Sequence, residues 1–357
     1  MRRSLDERAL GLIGEGPYAK PDDARFSALA LDLFAYQYQH NSPYRRLCDA
    51  LGRPPERVSD WTEIPPVPTG AFKEARLACF AAERDVRVFR TSGSTTRDRG
   101  ALHLDTLALY EASLLASFDA YLCQGERLRF AVLAPPAREA PDSSLSYMFD
   151  CALREFGAPG SRFWAHAEGW EPDALCGELR AQQQPLLVAG TAFAFVHLLD
   201  ELAARGEALR LPSGSRVMET GGFKGRSREL SREELHGAIE RALGVPCERI
   251  VNQYGMCELG SQFYEDSLLR GRTSQVKRVP PWVRTRVVDP GSLADVAPGE
   301  PGVLVHYDLV NTGSVLAVQT SDLGRRCDGG FEVLGRIRGA EARGCSLAAD
   351  LLLGGAA

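Results

Sequence analysis

The sequence predicts an α/β fold, with a largely parallel sheet and crossover helices followed by a small β-rich subdomain. Two textures carry that expectation. Strand-like and helix-like segments alternate through "LRFAVLAPP", "SYMFDCALREFG", "QPLLVAGTAFAFVHLLDELAARG", "SRVMETGGFKG", "SREELHGAIERALG" and "ERIVNQYG", the pattern of parallel strands joined by helices. After about residue 275 the texture changes to short alternating strands, "WVRTRVVD", "GVLVHYDL", "VLAVQT" and "FEVLGRI". The chain is therefore divided into a core over 1–275 and a β-rich subdomain with a short tail over 276–357.

The elements follow in order. Residues 22 to 51 read as a helical lead-in, with "FSALALDLFAYQYQ" periodic. "EIPPVPTGAFK" is Pro-rich and should be extended. "DVRVF" is a strand, and "LDTLALYEASLLASFDAYL" has helical spacing. Between them lies "TSGSTTRDRG", in which Thr91, Ser92, Gly93, Ser94, Thr95 and Thr96 stand side by side, edged by Arg90, Arg97 and Arg99. Strand, Gly/Ser/Thr loop and helix make a phosphate cradle, because hydroxyls, backbone N–H groups and a helix N-terminus converge on the anion. The GxxxxGK[ST] pattern is absent, and an ordinary surface loop has the same composition. "SREE" forms a capping box for the helix from Glu233. Ligands of such sheets sit beyond the C-terminal strand ends. The Gly/Ser/Thr loop, "ETGG" and "YGMCE" each follow a strand and are expected to share one rim.

Composition narrows the function. The chain has 357 residues, 44% hydrophobic and 25% charged, with a net charge of -5. Mild acidity without a basic stripe argues against nucleic acid as the main partner. The N-terminus lacks an apolar core, so no secretory signal is expected. The longest apolar stretch, "LLVAGTAFAFVHLL", is shorter than the roughly 18 residues of a membrane span. A cytoplasmic protein without a membrane partner is expected. Nine cysteines without a CxxC pair favour neither a disulfide framework nor structural zinc.

Three further stretches carry chemistry. In "YGMCELGSQFYE", Tyr254 suits stacking on a flat ring, Gly255 close backbone approach, and Glu258 a hard cation. A core tyrosine, a turn glycine and a surface glutamate fit equally. In "TSDLG", Asp322 suits two ribose hydroxyls or a turn. "GRIRGAEARGCS" suits an anion-touching turn or an exposed loop.

Together, in this order, these stretches resemble the adenylate-forming superfamily of acyl-CoA synthetases, adenylation domains and firefly-type luciferases. "TSGSTT" resembles its phosphate loop, and "YGMCE" its Y-G-x-[ST]-E element, with Cys257 where Thr is usual. "TSDLG" resembles the ribose-binding element, "GRIRG" the hinge element, and "ETGGFKG" lies where the adenine-contacting glycines stand. The closer resemblance is to the LuxE-type acyl-protein synthetases. It runs through "IPPVPTGAFKE", "FRTSGSTTRDRGALHLD", "ETGGFKGRSRELSREEL", "NQYGMCELGSQFYED", "TSDLG" and "EVLGRIRGAEARGCSLA".

That resemblance implies the large-domain fold of adenylate-forming enzymes, with ATP and Mg²⁺ as cofactors. It implies activation of a carboxylic acid, of the fatty class, as an acyl-adenylate. The acyl group then passes to a C-terminal cysteine, matched by Cys345, for an acyl-CoA-reductase-like partner. It assigns Thr91, Ser92, Gly93, Ser94, Thr95 and Thr96 to phosphates, Glu258 to Mg²⁺, Asp322 to ribose, and Gly221, Gly222, Tyr254 and Gly255 to the adenine end. Preorganised donors of this kind are worth about 3–4 kcal/mol each. Arg338 and Arg343, near Cys345, would lower its thiol pKa, whereas Cys257 is read as structural.

Two departures stand out. Only 18 residues follow Gly339, so the small C-terminal domain with its catalytic lysine is expected to be truncated or absent. Lys224, Arg226 and Arg336 are the candidate cations in its place. The "PKG" that follows the usual phosphate loop is "RDRG" here, with Arg99 in place of the lysine. Two other functions fit the same motifs. One is a ligase delivering the acyl group to an external amine, hydroxyl, CoA or acyl-carrier-protein thiol. The other is a catalytically silent nucleotide-binding partner of a reductase.

Overall fold

The computed structural model describes residues 1–91, 99–166, 168–221, 230–337 and 352. Packing divides the chain into two units: Met1–Ala116, Met256–Gln262 and Arg278–Ala357 form the first, Ser117–Gly255 and Phe263–Lys277 the second. The division is not the linear one at residue 275, because the N-terminal 116 residues group with the C-terminal strands.

The first unit opens with helices α1 (Arg2–Gly14), α2 (Asp23–His40) and α3 (Ser42–Ala50). The helical lead-in over 22–51 consists of two helices, α2 and α3. Asn41, whose side chain caps Tyr44 N at 3.2 Å, separates them. Strand β1 (Val67–Pro68) and one helical turn, α4 (Ala71–Glu74), follow. Strands β2 (Arg87–Arg90) and β3 (Ala101–Leu104) pair antiparallel. Helix α5 (Ala108–Phe118) comes after β3.

The second unit is the parallel sheet. Its strands β4 (Arg129–Leu133), β5 (Arg162–Phe163), β8 (Leu186–Thr191), β9 (Arg216–Thr220) and β10 (Ile250–Tyr254) run parallel in the order β10-β9-β8-β4-β5. Antiparallel β11 (Phe263–Tyr264) closes one edge. A small hairpin, β6 (Ala165–His166) and β7 (Gly169–Trp170), stands apart. The crossovers are α6 (Ser144–Phe156), α7 (Pro172–Ala181), α8 (Ala192–Ala204) and α9 (Arg232–Leu243). β8 is an unbroken apolar run because helices cover it. Val188, Phe195, Leu198, Leu235 and Ile239 belong to one buried cluster. The expected capping box is present, with Ser231 and Glu234 exchanging side-chain bonds around a helix that begins at Arg232. Helix α10 (Ser267–Arg270) and β12 (Lys277–Arg278) complete the connection.

Strands β13 (Val283–Val288), β14 (Pro301–Asp308), β15 (Ala317–Cys327) and β16 (Gly330–Arg336) form an antiparallel sheet in the first unit. β1 joins it in parallel, with Val67 opposite Val318. The N-terminal helices are fastened to this sheet. Gln37 Nε2 donates to the Asn311 carbonyl at 2.8 Å, and its Oε1 accepts from Leu316 N at 2.9 Å. Trp61 stands edge-on to both Phe26 and Tyr307, at 5.6 and 4.9 Å.

A buried ionic network ties the strand ends of the second unit. Lys277 Nζ donates to Glu265 Oε1 at 2.9 Å and also to Asn252 Oδ1. Arg232 donates to Glu265 Oε2 at 2.6 Å. Burial pushes the Lys277 ammonium down, against the pull of Glu265. Replacing Lys277 with Met leaves Glu265, 1% exposed, with one cation rather than two. Lys277→Met is expected to cost about 2–4 kcal/mol, measured as a lower urea midpoint at unchanged m-value.

Candidate active site

The neck of the Gly/Ser/Thr loop is a sealed hairpin base. Thr91 N donates to the Gly100 carbonyl at 2.9 Å, one pair beyond the β2–β3 ladder. Gly100 N donates back to Thr91 Oγ1 at 2.9 Å, and Arg99 Nε donates to the Thr91 carbonyl at 2.5 Å. The loop therefore leads into a strand, not into a helix N-terminus. "ALHL" pairs with "RVFR", and this pairing places β3 before α5. The common rim is corrected for the same reason. β9 and β10 belong to the parallel sheet, while β2 belongs to a separate two-stranded sheet.

Glu258 stands against that neck. A Cβ on Gly100 would lie 3.6 Å from Glu258 Oε1 and 3.3 Å from Phe72 Cβ. Any side chain at position 100 would push between the carboxylate and α4. Glu258 is 5% exposed, and its segment is held from beneath. Asn311 Nδ2 donates to the Glu258 carbonyl at 2.9 Å. Ser261 donates to Asp308 through both N and Oγ, each at 2.8 Å. Gly260 admits no side chain, since a Cβ there would stand 2.3 Å from Val310 Cγ1.

The Glu258 carboxyl is pushed up to about 7. Burial is the main cause and Asp322 adds to it; its own backbone N–H, Arg336 and Lys73 pull the other way. Asp322 lies inside β15, not after it, opposite Arg336 of β16 in register. Arg336 Nε donates to Asp322 Oδ1 at 3.1 Å. The first unit thus gathers Thr91, Glu258, Asp322 and Arg336, which come from four separate stretches of sequence. Lys73, on α4, joins them by its field on Glu258. The reading of the sequence gave it no role, although "PTGAFK" was among the family-like stretches. β1 anchors α4, with Thr69 N donating to the Gln319 carbonyl of β15 at 2.9 Å.

In the second unit Gly221 follows β9 at φ +78° with no heavy atom within 4 Å of a Cβ, a turn suited to glycine. Tyr254 ends β10, 5.9 Å from the Phe263 ring, with Gly255 next. Glu219, one residue before Thr220, is buried and structural. It accepts from Asn252 Nδ2 at 2.6 Å and faces His236 Nε2 at 3.1 Å. Ser92, Gly93, Ser94, Thr95, Thr96, Gly222, Lys224, Arg226, Arg338, Arg343 and Cys345 lie outside the described residues. Cys257 is buried.

A family model described as acyl-protein synthetase, LuxE, matches residues 175–352. The long-chain-fatty-acid–luciferin-component ligase of Aliivibrio fischeri is 24% identical over 308 residues, 83% of this chain and 78% of its own. The Vibrio harveyi protein of the same name is 23% identical over 336 residues, 90% and 86%. Among solved structures, an open conformation of 2-hydroxyisobutyryl-CoA ligase, in complex with 2-HIB-AMP and CoA, matches with a TM-score of 0.62. The identity is 16%, with 90% of this chain and 75% of that chain covered. The same ligase in its postadenylation state matches at 0.63 with 15% identity, covering 90% of this chain and 69% of that one. The fold is that of the adenylate-forming ligases.

A buried carboxyl with a raised pKa has a stability signature. Below the ordinary Glu value of 4.5, Glu258 is protonated folded and unfolded. As pH rises through about 7, the folded chain must ionise it at a cost, so its contribution to stability is lost. Glu258→Gln is expected to stabilise the free protein by about 1–3 kcal/mol at pH 8 and by little at pH 4.5. Urea unfolding at the two pH values measures the difference.

Proposed function

We propose that this LuxE-type acyl-protein synthetase activates a fatty acid with ATP and passes the acyl group to its own Cys345. The observation that carries this reading is the convergence of Thr91, Glu258, Asp322 and Arg336 around one loop neck. A structural role for each residue separately would not bring them together.

A carboxylate is a poor acyl donor because its leaving group would be oxide. Its oxygen attacks the α-phosphorus of ATP, the α–β bridging bond breaks, and pyrophosphate leaves with the electron pair. The acyl-adenylate then has a good leaving group in AMP. The chain's part is to hold the phosphates and offset the charge that develops. Thr91 and the hydroxyls that follow it in the sequence, Ser92 to Thr96, are assigned to the phosphates, and Asp322, bonded by Arg336, to the ribose. Gly221, Gly222, Tyr254 and Gly255 are assigned to adenine.

Glu258 fits a magnesium ion of the kind that accompanies a nucleotide. It is a hard oxygen donor in no ion pair among the described residues. Among the described residues no group of three His, Cys, Asp or Glu side chains gathers to form an all-protein cage. Mg²⁺ is held by one or two carboxylates together with substrate phosphates, and such an ion would neutralise charge on the phosphates.

Transfer needs a thiolate. Burial pushes Cys48, Cys79 and Cys123 up to about 12, and pushes Cys247, beside Glu240, up to about 11. Thiols held that high are poor nucleophiles at neutral pH. These four are therefore set aside, and the family position of Cys345 makes it the acceptor. Attack of its sulfur on the acyl carbon forms a thioester and releases AMP. An acyl-CoA-reductase-like protein or an acyl carrier protein is the partner that would take the acyl group onward. No helix among the described residues is long and apolar enough to cross a membrane.

Intact mass after incubation with ATP, Mg²⁺ and carboxylic acids of graded chain length tests the reading. A hydroxylamine-labile acyl adduct is expected on the wild type and not on Cys345→Ala, its mass naming the acid. Pyrophosphate release by both proteins with no adduct on either would assign the acyl group to an external acceptor. Nucleotide binding without acid-dependent pyrophosphate release would leave a silent binding partner. The pH profile of kcat/KM for pyrophosphate release is expected to fall on the acid side of about 7, where Glu258 takes up its proton.

A further inference from the structure

The chain is almost devoid of lysine. Its 42 basic residues include only Lys20, Lys73, Lys224 and Lys277, and arginine supplies the rest. Lys277 is 3% exposed and committed to Glu265. Lys73 is placed differently. It is exposed on α4, and among the described residues its ammonium makes no hydrogen bond or ion pair. The neighbouring carboxylate, Glu74, does not hold it either.

Its backbone, by contrast, is fixed. Lys73 N donates to the Gly70 carbonyl at 3.1 Å, and Ala75 N to the Ala71 carbonyl at 3.0 Å. The turn hangs from β1, which pairs with the strand that carries Asp322. Phe72, the residue before it, is 2% exposed and packs on Gly100 at the loop neck. Phe72 Cβ and Glu258 Oε1 flank the same Cβ position of Gly100, at 3.3 and 3.6 Å. A turn packed on the loop neck therefore carries a long cation, without a hydrogen bond or ion pair among the described residues, whose field reaches Glu258.

Resting on the adenylating reading above, we propose that Lys73 is a catalytic cation of the phosphoryl transfer. Its ammonium contacts the phosphate chain and offsets the negative charge that builds as the α–β bridging bond breaks and pyrophosphate departs. It remains protonated throughout and gives up no proton. Three features favour it over the other cations of the site. Arg336 is spent on Asp322, and Arg99 on the carbonyls of Arg90 and Thr91. A compact ammonium with three donors on a flexible stem follows a moving phosphoryl group better than a planar guanidinium does. The field of Lys73 also reaches Glu258, the carboxylate assigned to the nucleotide's metal ion.

The test compares wild type, Lys73→Ala, Lys73→Arg and, as a control, the exposed Lys20→Ala. Acid-dependent pyrophosphate release gives kcat and KM, and calorimetric titration with a non-hydrolysable ATP analogue gives affinity. A transition-state cation predicts a fall in kcat of about 10²-fold or more for Lys73→Ala. Analogue affinity should change by less than about tenfold, Lys73→Arg should recover part of the rate, and Lys20→Ala should match wild type. Lys73→Ala turning over within about threefold of wild type would overturn the proposal. So would a loss confined to KM and analogue affinity in equal measure, which marks uniform binding. A wild type that releases no pyrophosphate with any acid would instead refute the adenylating reading on which the proposal rests.

Discussion

The site depends on a buried carboxylate that is not part of it, Asp308. Asp308 is fully buried at the end of β14, and burial pushes its carboxyl up to about 6. It is held near its charged form by Val310 N at 3.0 Å and by Ser261 N and Oγ, each at 2.8 Å. Those bonds fasten the Met256–Gln262 stretch to the first unit, and Glu258 with it. Trp282 Nε1 adds bonds of 3.1 Å to both Ser113 and Ser261. The members satisfy one another, and in a low-dielectric interior such a network is worth most when it is complete. Losing one donor leaves buried charge exposed to the full desolvation penalty.

A second network serves the parallel sheet in the same manner. Glu219 at the end of β9 is joined to Asn252 of β10 and to His236 of α9. Asn252 and Glu265 meet at Lys277, and Arg232 at the start of α9 closes the group on Glu265. These bonds set the strand ends from which Gly221 and Tyr254 emerge. The charge in "ETGG" is therefore scaffolding, and the conformational freedom that the turn requires belongs to Gly221.

The parallel strands were legible because they announce themselves locally. "LLVAG" is a short apolar run of the kind that a sheet covered on both faces requires, and "SREE" is a local capping signal. What the sequence concealed is long-range. Nothing near "TSGSTT" says that "ALHL" will pair back on "RVFR", because an alternating four-residue strand looks like the start of the helix that follows. Nothing near "PTGAFK" says that β1 will join β15, whose partner residues lie about 250 positions away. Asn41 divides the helical lead-in through a cap whose effect depends on a buried tertiary position, not on helical periodicity. The candidate residues Thr91, Glu258, Asp322 and Arg336 were legible through their motifs. The supports, Asp308, Asn311 and Gln37, lie in no motif and became visible only through the bonds they make.

Asp308 and Glu258 show how burial separates scaffold from site. Both are carboxylates raised by desolvation, to about 6 and about 7. Asp308 is surrounded by donors within hydrogen-bonding reach and has no capacity left for a ligand. Glu258 has its own backbone N–H, with Arg336 and Lys73 acting only through their fields, and Asp322 opposing them. A purely structural position of that kind would be better filled by glutamine, which needs no ionisation. A carboxyl kept buried and short of partners gains most from a cation delivered with a ligand, because the interaction is made where water does not screen it. The energy that the fold gives up at Glu258 is thus recovered only when charge arrives at the loop neck, which ties the stability of this segment to occupancy of the site.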